Sequence, residues 1–243
     1  MSYSDALFRG FSTAGHSVPQ GNVLKRAVPE VSAPEAREHP VEQRKLVLPS
    51  LDGSADGTHT LPVHTEPLQL ALVDTLSRLD FEHGLVPLEA ALRQAGARSS
   101  ERIDQLQHLA ESLVSARARR RIEQLLDFAS PLSESPGESL ARARFRQLGF
   151  QQPQLQVSMS IDGATYRVDF LWEAAGVVAE FDGWKKYDQG FTAAMRQEKI
   201  REDAIRSTGL LIVRFYWEDL MQPDCTRLVQ LLTRAGVPRI TRA

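Results

Sequence analysis

The sequence predicts an α/β fold: a central mixed β-sheet with flanking helices, preceded by a mainly helical module. Three observations carry this expectation. Between residues 68 and 128 apolar residues recur at helical spacing. After Ser135 the pattern changes to helix, three short strands, helix, strand and helix. Two of those strands hold carboxylates inside apolar runs, where an uncompensated charge is costly. The 243 residues are enough for one large domain or two small ones. A hydrophobic content of 42% and a charged content of 25% are ordinary for a globular protein.

Residues 1–64 are expected to form an irregular N-terminal arm or the remnant of a small domain, being rich in Gly, Pro, Ser, Thr and charge. Leu46-Val47-Leu48 hints at a strand that Pro49 stops, and Asp52-Gly53 and Asp56-Gly57 are turn signals. Residues 65–130 read as the helical module. Leu68, Leu72, Leu76 and Leu79 share one face of a helix that Pro67 opens. Leu85–Ala95, Ile103–Leu113 and Ala116–Phe128 give three more amphipathic helices. The last begins with Arg117, Arg119, Arg120 and Arg121, which suit a phosphate backbone or a solvated face paired with Glu123 and Asp127.

Residues 131–243 read as the α/β domain. Ser135 caps a helix, Pro136 sits in its first turn, Glu138 completes a capping-box pattern, and Gly149 ends it. Its buried side is Leu140, Phe145 and Leu148. Strands follow at about 154–160, 166–172 and 176–182. A charged helix over about 192–208 stops at Gly209, Leu210–Phe215 is a buried strand, and Leu228, Leu231 and Leu232 mark a last helix.

Composition excludes several chemistries. Cys225 is the single cysteine, so neither an intrachain disulfide nor a cysteine metal site is expected, and the six histidines lack zinc spacing. A net charge of -2 confines any polyanion site to a local patch. No apolar run reaches the length of a membrane span, and no signal peptide is visible, so a reduced cytoplasm is the simplest compartment.

The chemistry-bearing residues lie between Glu138 and Arg206. Asp169 and Glu180 fall on two strands joined by a short turn, which brings them together and suggests a divalent cation, Mg²⁺ or Mn²⁺, between them. Glu138 reaches the same place if its helix packs on the sheet. Such an ion activates water against a phosphodiester. The plainer alternative pairs Asp169 with Arg167 on a solvated face and leaves Glu138 as a helix cap. In the helix that follows, Lys199 and Arg206 can offset the acids or touch phosphate, although most charges there suit intrahelical pairing. Trp184 and Tyr187, in the loop after the acidic strand, are candidates for nucleic-acid contact. Arg214, Phe215, Tyr216 and Trp217 suit a core edge better than base stacking.

These residues together resemble a known domain. Ser135-Pro136-Gly137-Glu138-Ser139-x-x-Arg142, Arg167-Val168-Asp169-Phe170, Glu180-Phe181-Asp182-Gly183-x-x-Lys186-Tyr187, Glu198-Lys199-x-Arg201-Glu202-Asp203-x-x-Arg206 and Val213-Arg214-Phe215-x-Trp217-x-Asp219-Leu220 occur in the order seen in very-short-patch-repair-endonuclease-like domains. Those domains belong to the PD-(D/E)XK nuclease superfamily and are common in actinobacterial proteins. The resemblance covers residues 133–221. It implies a restriction-endonuclease-like core, a DNA substrate and metal-site roles for Glu138, Asp169 and Glu180. One position departs from the superfamily pattern: Asp182 stands where a lysine is usual. Lys185 or Lys186 can supply that cation, and Asp182 can instead be a further metal ligand. Thr65-Glu66-Pro67 and the helix holding Asp74 also resemble the middle of AbiEi-like antitoxins. Two functions are therefore expected: a metal-dependent DNA endonuclease, or a catalytically inactive nuclease-fold DNA-binding regulator of antitoxin type.

Overall fold

A computed structural model describes residues 42–49, 58–183 and 192–240, all within the compact unit Pro40–Ala243. The first two strands, β1 (Glu42–Pro49) and β2 (Thr58–Thr65), pair antiparallel over their whole length, from Glu42 opposite Thr65 to Pro49 opposite Thr58. The strand hinted at by Leu46-Val47-Leu48 is thus longer than expected and pairs with a second strand that the sequence did not signal. Both strands are mostly polar, so the backbone ladder defines them where hydrophobic alternation gives no signal.

Four helices follow: α1 (Leu68–Leu76), α2 (Phe81–Ala95), α3 (Ser99–Leu113) and α4 (Ala116–Phe128). Helix α2 begins four residues before the apolar periodicity, because the Asp80 carboxylate accepts the His83 backbone N–H at 2.9 Å and caps it. Leu76, Leu85, Leu88, Leu92, Leu106, Ile122 and Leu125 are fully buried and form the core of this module. Gly84 lets α2 and α4 pack closely, since a Cβ there would lie 2.9 Å from Leu125.

Helix α5 (Pro136–Gln147) packs against both the helical module and the sheet. Ser135 caps it by accepting the Glu138 N–H at 3.2 Å, as the sequence pattern requires. Eight consecutive residues, Glu138 to Phe145, are buried, so α5 is enclosed on all sides. Ala143 belongs to the helical core, whereas Leu140, Ala141 and Phe145 belong to the sheet core. Both cores lie within one compact unit, and α5 contributes to each.

The sheet contains β3 (Gln154–Ile161), β4 (Ala164–Trp172), β5 (Val177–Phe181) and β6 (Leu211–Phe215) in that spatial order. The first three strands run antiparallel and β6 is parallel to β5. The parallel pair requires a crossover, which α6 (Thr192–Ser207) provides. On one face Phe145 makes edge contacts with Phe170, Trp172 and Phe215 at centroid distances of 5.3, 5.2 and 5.9 Å. Leu220 of α7 (Trp217–Met221) and Leu228 and Leu232 of α8 (Thr226–Arg234) join that core. On the other face Ile205 of α6 packs with Val168, Leu171 and Val178. The molecule is therefore an α/β protein with a four-stranded mixed sheet, flanking helices and a helical module. Among the described residues no helix is long and apolar enough to cross a membrane.

One packing contact ties α5 to the end of β5. A Cβ on Gly137 would fall 2.1 Å from Cε1 of Phe181. Gly137→Ala is expected to cost about 2 kcal/mol in chemical denaturation, because the Phe181 ring must move. Wild-type stability in that variant would show that the ring yields freely.

Candidate functional site

Each acidic residue reaches the site from a different element. Glu138 lies in the first turn of α5 and is 7% exposed; Glu180, on β5, is 6% exposed; Asp169, on β4, is half-buried. Glu138 does not close a reciprocal capping box with Ser135. Its Oε2 accepts the Glu134 backbone N–H and the Gln156 side-chain amide, each at 2.9 Å. Asp169 accepts the Phe181 backbone N–H at 3.0 Å through Oδ2 and the same Gln156 amide at 3.4 Å through Oδ1. Glu138 and Asp169 therefore converge on one nitrogen, and a solvated pairing of Asp169 with Arg167 is not formed. Arg167 is instead half exposed and bonds Glu134 at 2.5 Å.

The sheet is irregular at this place. Leu155 pairs with Phe170 and Val157 with Val168, but the rung between them, Gln156 and Asp169, makes no ladder pair. Val168 packs in one core and Phe170 in the other, so alternation breaks at Asp169. The interruption frees the Asp169 carboxylate to meet the Phe181 N–H.

Glu180 is compensated differently. Both of its oxygens receive the Arg201 guanidinium, which also donates to the Arg167 carbonyl at 2.9 Å and to Glu198 at 3.3 Å. The hydrogen bond to Glu180 raises the Arg201 pKa against the lowering effect of burial. Arg214, opposite Glu180 on β6, bonds Glu198 and lies 3.4 Å from Glu202. This alternating network lies on the α6 side of the sheet, beside the Ile205 core. Among the described residues no cation bonds the Asp169 carboxylate, although Arg201 is close enough to interact with its charge. Burial, and then the charges of Glu138 and Glu180, push its carboxyl up to about 6 despite the Phe181 N–H.

The remaining candidates divide. Asp182 donates its backbone N–H to the Phe215 carbonyl at 3.0 Å, directly after the acidic strand. Lys199 is exposed, and Arg206 is exposed and paired with Glu202 at 2.6 Å. Among the described residues, Arg201 and, at 3.6 Å, Arg214 are the cations at Glu180; Ile205 faces the sheet and sets the phase of α6, and Arg201 lies about one turn before it. Trp184, Lys185, Lys186 and Tyr187 lie outside the described residues. Phe215 is fully buried and Trp217 packs on Phe181 at 5.1 Å, so these aromatics serve the core edge. Arg119 pairs with Glu123 at 3.4 Å, as the solvated-face reading of the basic cluster requires.

Sequence reasoning missed Gln156 and Arg201. A glutamine in a strand and an arginine in a helix full of charge give no signal by themselves. Among the described residues, the one trio of His, Cys, Asp or Glu with ligand atoms all within 4.8 Å is Asp80, Glu82 and His83. That exposed cluster could hold a metal ion, and its geometry already follows from Asp80 capping α2 and bonding His83 Nδ1 at 2.7 Å. Glu138, Asp169 and Glu180 are spread more widely, with the Gln156 amide and the Arg201 guanidinium among them. Comparisons with protein-family models, curated proteins and solved structures find no match to this chain.

Proposed function

We propose that the protein is a divalent-metal-dependent endonuclease that hydrolyses phosphodiester bonds in DNA. The observation that carries this reading is the convergence of Glu138 and Asp169 at a break in the sheet, beside Glu180, with Asp169 under-compensated. Buried or half-buried acids that share a site without a full set of cations suit a positive ligand. The order of motifs resembling very-short-patch-repair-endonuclease-like domains supports the same reading. The donors are carboxylate oxygens, which fit a hard ion such as Mg²⁺ or Mn²⁺. Glu138, Asp169 and Glu180 would hold it, with Asp182 adjacent. Once bound, the ion would supply a Lewis acid for the phosphate and acidify an attacking water. The chain itself would orient the carboxylates, through the Phe181 N–H on Asp169 and Arg201 on Glu180. Arg201, beside Glu180, would also be placed to meet a phosphate oxygen.

A second reading rests on Arg201 as it stands. A guanidinium on both oxygens of Glu180, with Asp182 at the usual lysine position, also suits a nuclease fold that binds DNA as a regulator without cutting it. Supercoiled plasmid in Mg²⁺ or Mn²⁺ separates the two. The enzyme should nick it, and Asp169→Ala and Glu180→Gln should each lose at least about a hundredfold in rate, a typical cost for removing charge stabilisation at a reacting phosphate. Equal cleavage by Asp169→Ala would remove the acids from the reaction. No cleavage of DNA or RNA by the wild type, with retention of DNA in a mobility-shift assay, would favour the regulator.

A further inference from the structure

We propose that the outer face of α4 is a docking surface for the phosphate backbone of duplex DNA, separate from the acidic residues; the choice of DNA as its occupant rests on the reading above. Ile122, Leu125 and Leu126 turn one side of α4 into the core of the helical module. At about 3.6 residues per turn, Arg117, Arg120 and Gln124 fall on the opposite side, with Arg121 on its flank. All four are exposed. Three arginines therefore stand on one solvent-facing strip of a chain whose net charge is -2.

Nearby acids do not neutralise this strip. Arg119 belongs to another side of α4, where it pairs with Glu123 at 3.4 Å and lines a cleft between α3 and α4 together with Glu111. That pairing accounts for Arg119 alone. Asp74 pairs with Arg78 at 2.6 Å, and Asp127 lies about two turns beyond Arg120. Among the described residues Arg117 and Arg120 make no ion pair, and Arg121 donates only to the Ser77 carbonyl, at 3.5 Å. No acidic residue occupies the first turn of α4, so its arginines also stand against the positive end of the helix dipole.

The side chains define the partner. Guanidinium groups bind phosphate oxygens through paired hydrogen bonds, and Gln124 adds an amide donor to the same row. Arg117 to Arg121 span about 6 Å of helix axis, a charge density that a duplex, with about one phosphate per 1.7 Å, can match. A basic helix that enters a lipid surface presents a large apolar flank beside its charges, whereas Ile122, Leu125 and Leu126 are enclosed in the module.

Binding of a short fluorescent duplex by the full chain, followed by polarisation across a salt series in metal-free buffer, tests this. Arg117→Gln with Arg120→Gln should weaken binding at least about tenfold at low salt and flatten the slope of log Kd against log salt by about 2, one phosphate contact for each arginine. Its melting temperature should equal or exceed that of the wild type, because the helix dipole is relieved. Arg98→Gln with Arg234→Gln removes the same charge from two other exposed arginines, before α3 and at the end of α8. That control should keep Kd within about twofold, since salt screens distant charges. Wild-type affinity in the α4 variant, or an equal loss in the control, would overturn the docking surface and leave the DNA reading intact. A wild type that holds the duplex through these arginines yet never cuts DNA would keep the surface and favour the regulator over the nuclease. No duplex binding by the wild type at low salt, whether RNA or an acidic peptide binds instead or nothing does, would end both the surface and the DNA reading.

Discussion

Arg142→Met is expected to destabilise the protein by about 3–5 kcal/mol, the usual cost of breaking one side of a buried ion pair. Arg142 of α5 bonds Glu89 of α2 where both side chains are buried, Glu89 completely. The Arg142 guanidinium also donates to the Phe128 carbonyl at 3.0 Å and lies 4.6 Å from the centre of the Phe128 ring. Glu89 accepts the Ser130 backbone N–H at 2.9 Å through the oxygen that meets Arg142. Removing Arg142 would strand the Glu89 carboxylate in the interface between the helical module and α5. Burial already holds the Arg142 pKa down to about 10, which shows how much desolvation opposes the charge. The pair is also incompletely satisfied, since among the described residues Glu89 Oε2 and Arg142 Nε have no hydrogen-bond partner. The double variant Glu89→Met with Arg142→Met should therefore recover most of the loss in urea denaturation. If the single variant cost under about 1 kcal/mol, water would have to reach Glu89, contrary to its complete burial.

That pair also shows where the sequence stops being legible. The start of α5 was readable because Ser135 and Pro136 act within one turn, and local capping chemistry follows from local sequence; the carboxylate of Glu138 instead turns to Glu134 and Gln156. Asp169 and Glu180 were readable because acids in apolar strands are anomalous in any fold. Arg142 was not, because a charged helical residue is ordinarily solvated and only tertiary packing encloses α5 on every side. Gln156 was hidden for a related reason: its left-handed backbone answers to Glu138 and Asp169, not to its neighbours in sequence. Lys199 and Arg201 differ by half a helical turn or so, and in a helix charged on several faces nothing but the buried Ile205 fixes which one meets the sheet. Only the Leu46–Leu48 part of the β1–β2 hairpin was hinted at, because strand prediction leans on apolar patterning and the rest is largely polar.

Asp169→Asn should move stability and metal binding in opposite directions. With its carboxyl pushed up to about 6 in the folded state, against 3.8 as an ordinary value, Asp169 binds a proton more readily folded than unfolded. Its contribution to stability is accordingly most favourable below about pH 4, declines as the pH rises to about 6, and stays unfavourable above that. The penalty at neutral pH is about 1–3 kcal/mol, the lower end allowing for the water that reaches a half-buried group. Asparagine keeps the shape and can still accept the Phe181 N–H, but it carries no charge. In metal-free buffer at pH 7.5 the variant should therefore unfold at higher urea than the wild type, and its stability should vary less between pH 4 and pH 6. Added Mn²⁺ should stabilise the wild type by about 2.7 kcal/mol at a hundred times its Kd and leave Asp169→Asn unchanged. For the wild type this gain should weaken as the pH falls below 6, because the ion must displace the proton from Asp169. A metal-free variant less stable than the wild type at pH 7.5 would mean that the Asp169 charge supports the fold. A variant that gains stability while losing its response to Mn²⁺ would mean that the protein keeps an uncompensated carboxylate, at the expense of its own stability, for the ion it binds.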